Sequence, residues 1–185
     1  MSEYSDEQLL EMFRDKHRRY EAFDRIVRQY KVRLYWHIRK ILIVHEDTDD
    51  VLQNTFEKAW KGLSAFRQEA QLFTWLYRIA TNEAISFLNQ KRNKDMLPWD
   101  EAEPMLMRSL QSDAYFSGDE AQLLLQKAIL TLPEKQRIVF NMKYFDEMTY
   151  DAMSEILGTS VGALKASFHH AVKKIKACIE RSSLQ

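Results

Sequence analysis

The sequence is poor in the residues that break or staple a chain. Four glycines and three prolines in 185 residues leave long stretches without the punctuation that hairpins and tight turns require, which favours helices over sheet. The single cysteine, Cys178, excludes an intramolecular disulfide and a multi-thiolate metal site, and it reads as a small core residue on an apolar helix face. No apolar run approaches the ~20 residues of a membrane span. Met1 to Asp6 has neither the basic region nor the apolar stretch of a secretion signal, so the expected location is the cytoplasm, with no membrane insertion. Net charge is missing too, because 27 basic and 27 acidic residues cancel, which argues against a uniformly basic nucleic-acid coat. Nor is there a zinc-binding pair spaced for one helix face, a phosphate-binding glycine loop or a nucleophile elbow. The chain is therefore expected to be no enzyme and to hold no cofactor or metal.

What is present is apolar periodicity and segregated charge. A hydrophobic content of 45% suffices for packed cores, in one medium domain or two small ones. Acid gathers at Glu46, Asp47, Asp49 and Asp50 and again from Asp95 to Asp113. Base gathers at Lys91, Arg92 and Lys94, then at Lys165, Lys173, Lys174 and Lys176, so faces of opposite sign are expected.

Apolar residues recur at three- and four-residue steps from Asp6 to Leu42, which predicts two amphipathic helices. Thr48 with Asp49 and Asp50 reads as a cap and first-turn acids for a third, with the stripe Val51, Leu52, Thr55, Phe56, Ala59, Trp60 and Leu63. After a polar connection from Ser64 to Gln71, a fourth stripe runs from Leu72 to Leu88 and stops at Gln90. The stretch Asn93 to Gly118, with Pro98, Pro104, Gly118 and several acids, keeps no period and reads as a linker. Past it the pattern predicts a helix around Leu123 to Leu130, a Pro133 start signal for another, and two more divided by Gly158. No internal repeat and no useful strand-like alternation is present.

The segment Thr149 to Lys176 predicts a helix-turn-helix. Ser154 suits the helix crossing, Gly158 the positive φ of a tight exit, and Leu164 the core between the pair. At 100° per residue, Val161, Leu164, Phe168, Val172, Ile175 and Ile179 form the expected buried stripe. The far side then carries Gly162, Ala163, Ala166, His170 and Lys173, flanked by Lys165, His169 and Lys174. That side is small enough for a major groove and basic enough for phosphates. A solvated lysine face is the plainer reading of any isolated helix, but the preceding helix and turn favour DNA. His169 and His170 point about 100° apart, which does not suit a shared metal.

These residues have a familiar order. The run "LPEKQRIVFNMKYFDEMTYDAMSEILGTSVGALKASFHHAVKKIK", Leu132 to Lys176, resembles region 4 of extracytoplasmic-function sigma factors, in the sigma-70 family of RNA polymerase initiation subunits. "TDDVLQNTFEKAW" resembles the helix by which their region 2 grips the polymerase clamp, and "AFRQEAQLFTWLYRIATNEAISFLNQKR" resembles its promoter-melting part. The resemblance implies an all-α chain of two small helical domains: region 2 at 1–94, an acidic linker at 95–118 and region 4 at 119–185. It implies RNA polymerase core (clamp and flap) and promoter DNA as partners, together with an anti-sigma factor.

Carried over by position, the resemblance assigns Phe66, Arg67 and Gln68 to the loop that receives a flipped base of the minus ten element. Asn82 would face that base, and Arg78, Asn89, Lys91 and Arg92 would hold nearby backbone. A base outside the duplex needs stacking and hydrogen-bonding groups, although Phe66 also suits a plain core cap. Asp49, Asp50, Gln53 and Glu57 would meet the clamp, and simple helix capping competes with that reading. Asn54 stands where the family often has Glu. Lys165, Ala166, His169, His170 and Lys173 would read the minus thirty-five element, where the family commonly has Arg at Ser167 and His170. His and Ser discriminate bases less sharply than a bidentate Arg. The acidic linker would occupy a channel otherwise used by RNA, and tethering would let two weak contacts act together. The competing reading is an operator-binding regulator with an amino-terminal sensor or dimerisation domain; a helical hydrolase comes third.

Overall fold

The computed structural model describes residues 4–68, 70–95 and 120–182, the side chains of 92–95 and 120 excepted. Among the described residues the fold is all-helical: α1 (Asp6–Arg14), α2 (Arg19–Leu42), α3 (His45–Leu63), α4 (Leu72–Asp95), α5 (Glu120–Leu130), α6 (Glu134–Tyr144), α7 (Tyr150–Leu157) and α8 (Val161–Ser182). From residue 96 on, the expected acidic linker lies outside the described residues.

Local chemistry sets several boundaries. Ser5 and Gln8 close a capping box on α1, with the Gln8 amide donating to Ser5 Oγ at 3.2 Å and the Ser5 amide to Gln8 Oε1 at 2.9 Å. Thr149 caps α7 by accepting from the Ala152 amide at 3.2 Å. Gly158 ends α7 at φ 60°, its N–H donating to the Ser154 carbonyl at 2.9 Å.

Two expected boundaries move. The α3 helix starts at His45 rather than at a Thr48 cap. Thr48 lies fully buried inside the helix, its hydroxyl donating to the Val44 carbonyl at 2.7 Å, and the first-turn acids are Glu46 and Asp47. The α4 helix continues past Gln90 to Asp95, through polar residues that carry no apolar period.

Helices α1 to α4 pack around Leu9, Ile26, Leu34, Ile38, Leu76 and Ala80. A second cluster joins α5, α6 and α8 through Ile129, Leu132, Phe140, Ala171 and Ile175, with Cys178 half-buried against it. The two halves are not separate. Ile138, Val139, Met142, Met148, Met153, Ile156 and Leu164 belong to the same apolar cluster as the first four helices, where α6 meets α2 and α7 meets α4.

Candidate nucleic-acid interface

The α7–α8 pair has the geometry of a helix-turn-helix. Ser160 accepts from the Ala163 amide at 3.4 Å to start α8, and Leu164 is buried between the helices. One expectation fails, because Val172 is 42% exposed while Ala171 is wholly buried. The buried line runs Leu164, Phe168, Ala171, Ile175 and Cys178 in alternating steps of four and three, which keeps it centred, whereas Val172 sits about 80° round from Leu164. Lys165, Ala166, His169, His170 and Lys173 are all exposed, within an arc of about 140° at 100° per residue. Across α8 five basic residues face a single acid, Glu180, which Lys176 approaches at 3.8 Å. This surface can hold phosphates and present small side chains to a groove.

At the other candidate surface, Phe66 is half-buried in the α3–α4 loop with its ring 5.0 Å from that of Trp75. It therefore caps the core and lines an open cleft at once. Arg67 and Gln68 are exposed, and Gln68 takes a φ of 60°, a region that costs a non-glycine residue energy. Arg78, Asn82 and Asn89 are exposed and lie within about 40° of one another on α4. Lys91 turns to the opposite side, where it bonds Asp47 at 2.6 Å. The Arg92 side chain lies outside the described residues.

Asp49, Asp50, Gln53 and Glu57 are all exposed on α3, and Gln53 Nε2 donates to Glu57 Oε1 at 3.1 Å. Asp49 also pairs with His45 at 3.5 Å. Three of the four edge an apolar groove of about 690 Å³ between α2 and α3, floored by Phe23, Leu52, Phe56 and Trp60. Sequence reasoning missed Tyr20, which is 77% exposed and stacks on Trp60 with ring centroids 5.1 Å apart. Its signal was the step Tyr20, Phe23, Val27 on α2.

Comparison with known proteins places these surfaces in a family context. Residues 26–94 match the model for Sigma-70 region 2, and residues 122–175 match that for Sigma-70, region 4. The chain is 32% identical over 165 residues to ECF RNA polymerase sigma factor SigW of Bacillus subtilis, covering 84% of this chain and 88% of that one. It is 25% identical over 168 residues to the ECF RNA polymerase sigma-E factor of Haemophilus influenzae, covering 86% and 88%. In fold it is similar to CnrH, solved in complex with the cytosolic domain of CnrY, with a TM-score of 0.69, 23% identity and 95% and 97% of the chains covered. RpoE in complex with the anti-sigma factor NepR from Bartonella quintana gives 0.66, 18% identity, and 85% and 96%.

Proposed function

Because this chain belongs to the extracytoplasmic-function sigma factors of the sigma-70 family, and so directs core RNA polymerase to promoters and initiates transcription there, we propose a division of that work among its residues. The first module, 1–94, seats Asp49, Asp50, Gln53 and Glu57 on a basic part of the polymerase clamp, and the apolar groove beside them takes a side chain of the partner. The loop of Phe66, Arg67 and Gln68 receives an unstacked base of the minus ten element. Asn82 hydrogen-bonds that base, and Arg78, Asn89 and Arg92 hold the strand. Lys91 joins them only by giving up Asp47. The second module, 119–185, reads the minus thirty-five element with Lys165, Ala166, His169, His170 and Lys173. Exposed Tyr144 and Val172 support a contact of that module with the flap, and 95–118 serves as the tether.

The observation that carries this reading is the pair of region matches falling, in order, on the two helical modules. An operator-binding regulator accounts for the second match and leaves the first unexplained. The neighbour RpoE is bound to an anti-sigma factor, NepR, and CnrH to the cytosolic domain of CnrY, and we assign an anti-sigma factor as a partner of this chain. Among the described residues no helix is long and apolar enough to cross a membrane; a cytoplasmic, non-catalytic role fits this reading.

In vitro transcription with purified core polymerase and a promoter library tests it. Paired His170→Ala and Lys173→Ala should weaken upstream-element binding, and Phe66→Ala should impair melting more than recruitment. Open complexes formed normally by Phe66→Ala would refute the pocket assignment.

A further inference from the structure

We propose that the free chain is held closed by a charged latch between its two modules, and that closure keeps single-stranded DNA out of the loop at 66–68. The bar rests on the assignment of that loop as a DNA reader. The latch rests on geometry alone.

Asp146, in the connection between α6 and α7, reaches across to α2. Its carboxylate meets His37 Nδ1 at 2.9 Å and the Lys40 ammonium, and the Asn141 amide donates to the Lys40 carbonyl at 3.1 Å. His37 is 1% exposed. Its other ring nitrogen, Nε2, lies 2.8 Å from Thr81 Oγ1, which also sits 2.7 Å from the Tyr77 carbonyl. An ionised Asp146 can only accept, so the ring presents its Nδ1–H to it, while Thr81 occupies the Nε2 side. The titratable groups around it are Asp146 from the connection, Tyr77 from α4 with its ring 4.7 Å away, and Lys40 from its own helix. Burial and the charge of Asp146 push the Tyr77 phenol up to about 12, so Asp146 is the one anion of this set. Loss of its charge removes the anion that holds the part-buried Lys40 ammonium and the buried His37 N–H across the joint.

Closure has a consequence at the loop. Phe66 and Gln68 open into a cleft of about 1040 Å³ whose other walls carry Asp6 and Glu7 from α1 and Asp151 and Glu155 from α7. No lysine or arginine lines it among the described residues. A phosphate backbone entering there meets four carboxylates, two of them delivered by the second module. Separation of the modules removes those two and opens the cleft. The reading face of α8 stays uncovered throughout.

Asp146→Asn keeps the shape and removes the charge. In the full chain it should raise the radius of gyration seen by small-angle scattering at unchanged helicity. It should also tighten anisotropy-detected binding of a fluorescent single-stranded minus ten oligonucleotide by about tenfold or more, as the competent fraction rises. The exposed pair Asp151→Asn with Glu155→Gln should tighten binding severalfold with no change in size. Nitrogen NMR of the wild-type His37 ring should find hydrogen on Nδ1, the nitrogen that faces Asp146. A compact Asp146→Asn chain, or a His37 ring with no hydrogen on Nδ1 in the closed form, overturns the latch. An open chain with unaltered oligonucleotide affinity overturns the bar. Transcription with core polymerase, run beside Phe66→Ala, separates these failures from a failure of promoter reading itself.

Discussion

Tyr20 offers a way to separate recruitment from folding. Its ring is 77% exposed and its contact with the core is the stack on Trp60, with rings 27° from parallel. Truncation to Ala forfeits that pair, about 0.5–1.5 kcal/mol for an aromatic contact and towards the low end here because so much of the ring is already wet. Trp60 stays anchored edge-on to Phe13 at 5.4 Å and Phe23 at 5.1 Å, so the groove floor survives. If the groove seats the polymerase clamp, Tyr20 lines the contact and becomes a buried aromatic anchor of the kind that dominates interfaces, and its loss should cost about 2 kcal/mol of binding. That is about thirtyfold in Kd. Titration of labelled chain with core polymerase measures the affinity, and a thermal melt of the free chain measures the fold. An affinity within about threefold of wild type, or a weakening matched by an equal loss of fold stability, would refute the reasoning.

Three further outcomes test separate parts of the structure. Glu147 sits at φ 52°, so Glu147→Gly should raise unfolding stability by about 0.5–1 kcal/mol in a denaturant titration. Ala171→Leu should lower stability by about 1–3 kcal/mol through overpacking, whereas Val172→Ala, at a half-open position, should cost under about 1 kcal/mol; the reverse order would restore the stripe expected from sequence. Burial pushes the Asp146 carboxyl up, but the His37 hydrogen bond and the charges of His37 and Lys40 outweigh it and hold the group below its ordinary 3.8. Closure therefore binds fewer protons than the open chain. Its advantage is complete above the ordinary carboxylate range and is lost as pH falls below 3.8, so scattering should show wild type expanding there and Asp146→Asn showing no such step.

The helix pattern was legible because the chain lacks competing signals. Gly158 and Pro133 mark the two boundaries in the second module that backbone sterics alone define, and both were readable. Thr48 misled because a threonine followed by acids resembles a cap, yet its hydroxyl is equally able to bond back to a carbonyl four residues earlier. The end of α4 was invisible since Asn89 to Asp95 is polar on every face. Of the candidate residues, the outer face of α8 was readable from periodicity, the resemblance picked five positions on it, and the structure leaves all five exposed on one arc. Lys91 required knowledge of Asp47, 44 positions away, and the latch joins residues 109 apart. Pairings at that range leave no local pattern in a single sequence.

The joint between the modules is rich in one residue type. Met142, Met148 and Met153 all lie in the apolar cluster common to both. An unbranched thioether fills irregular space at little strain and settles against differently shaped neighbours. A seam that has to part and then lie against another protein gains from such pliant filling, since neither surface needs rebuilding. Oxidation of these sulfurs would make them polar and hinder the modules from coming back together.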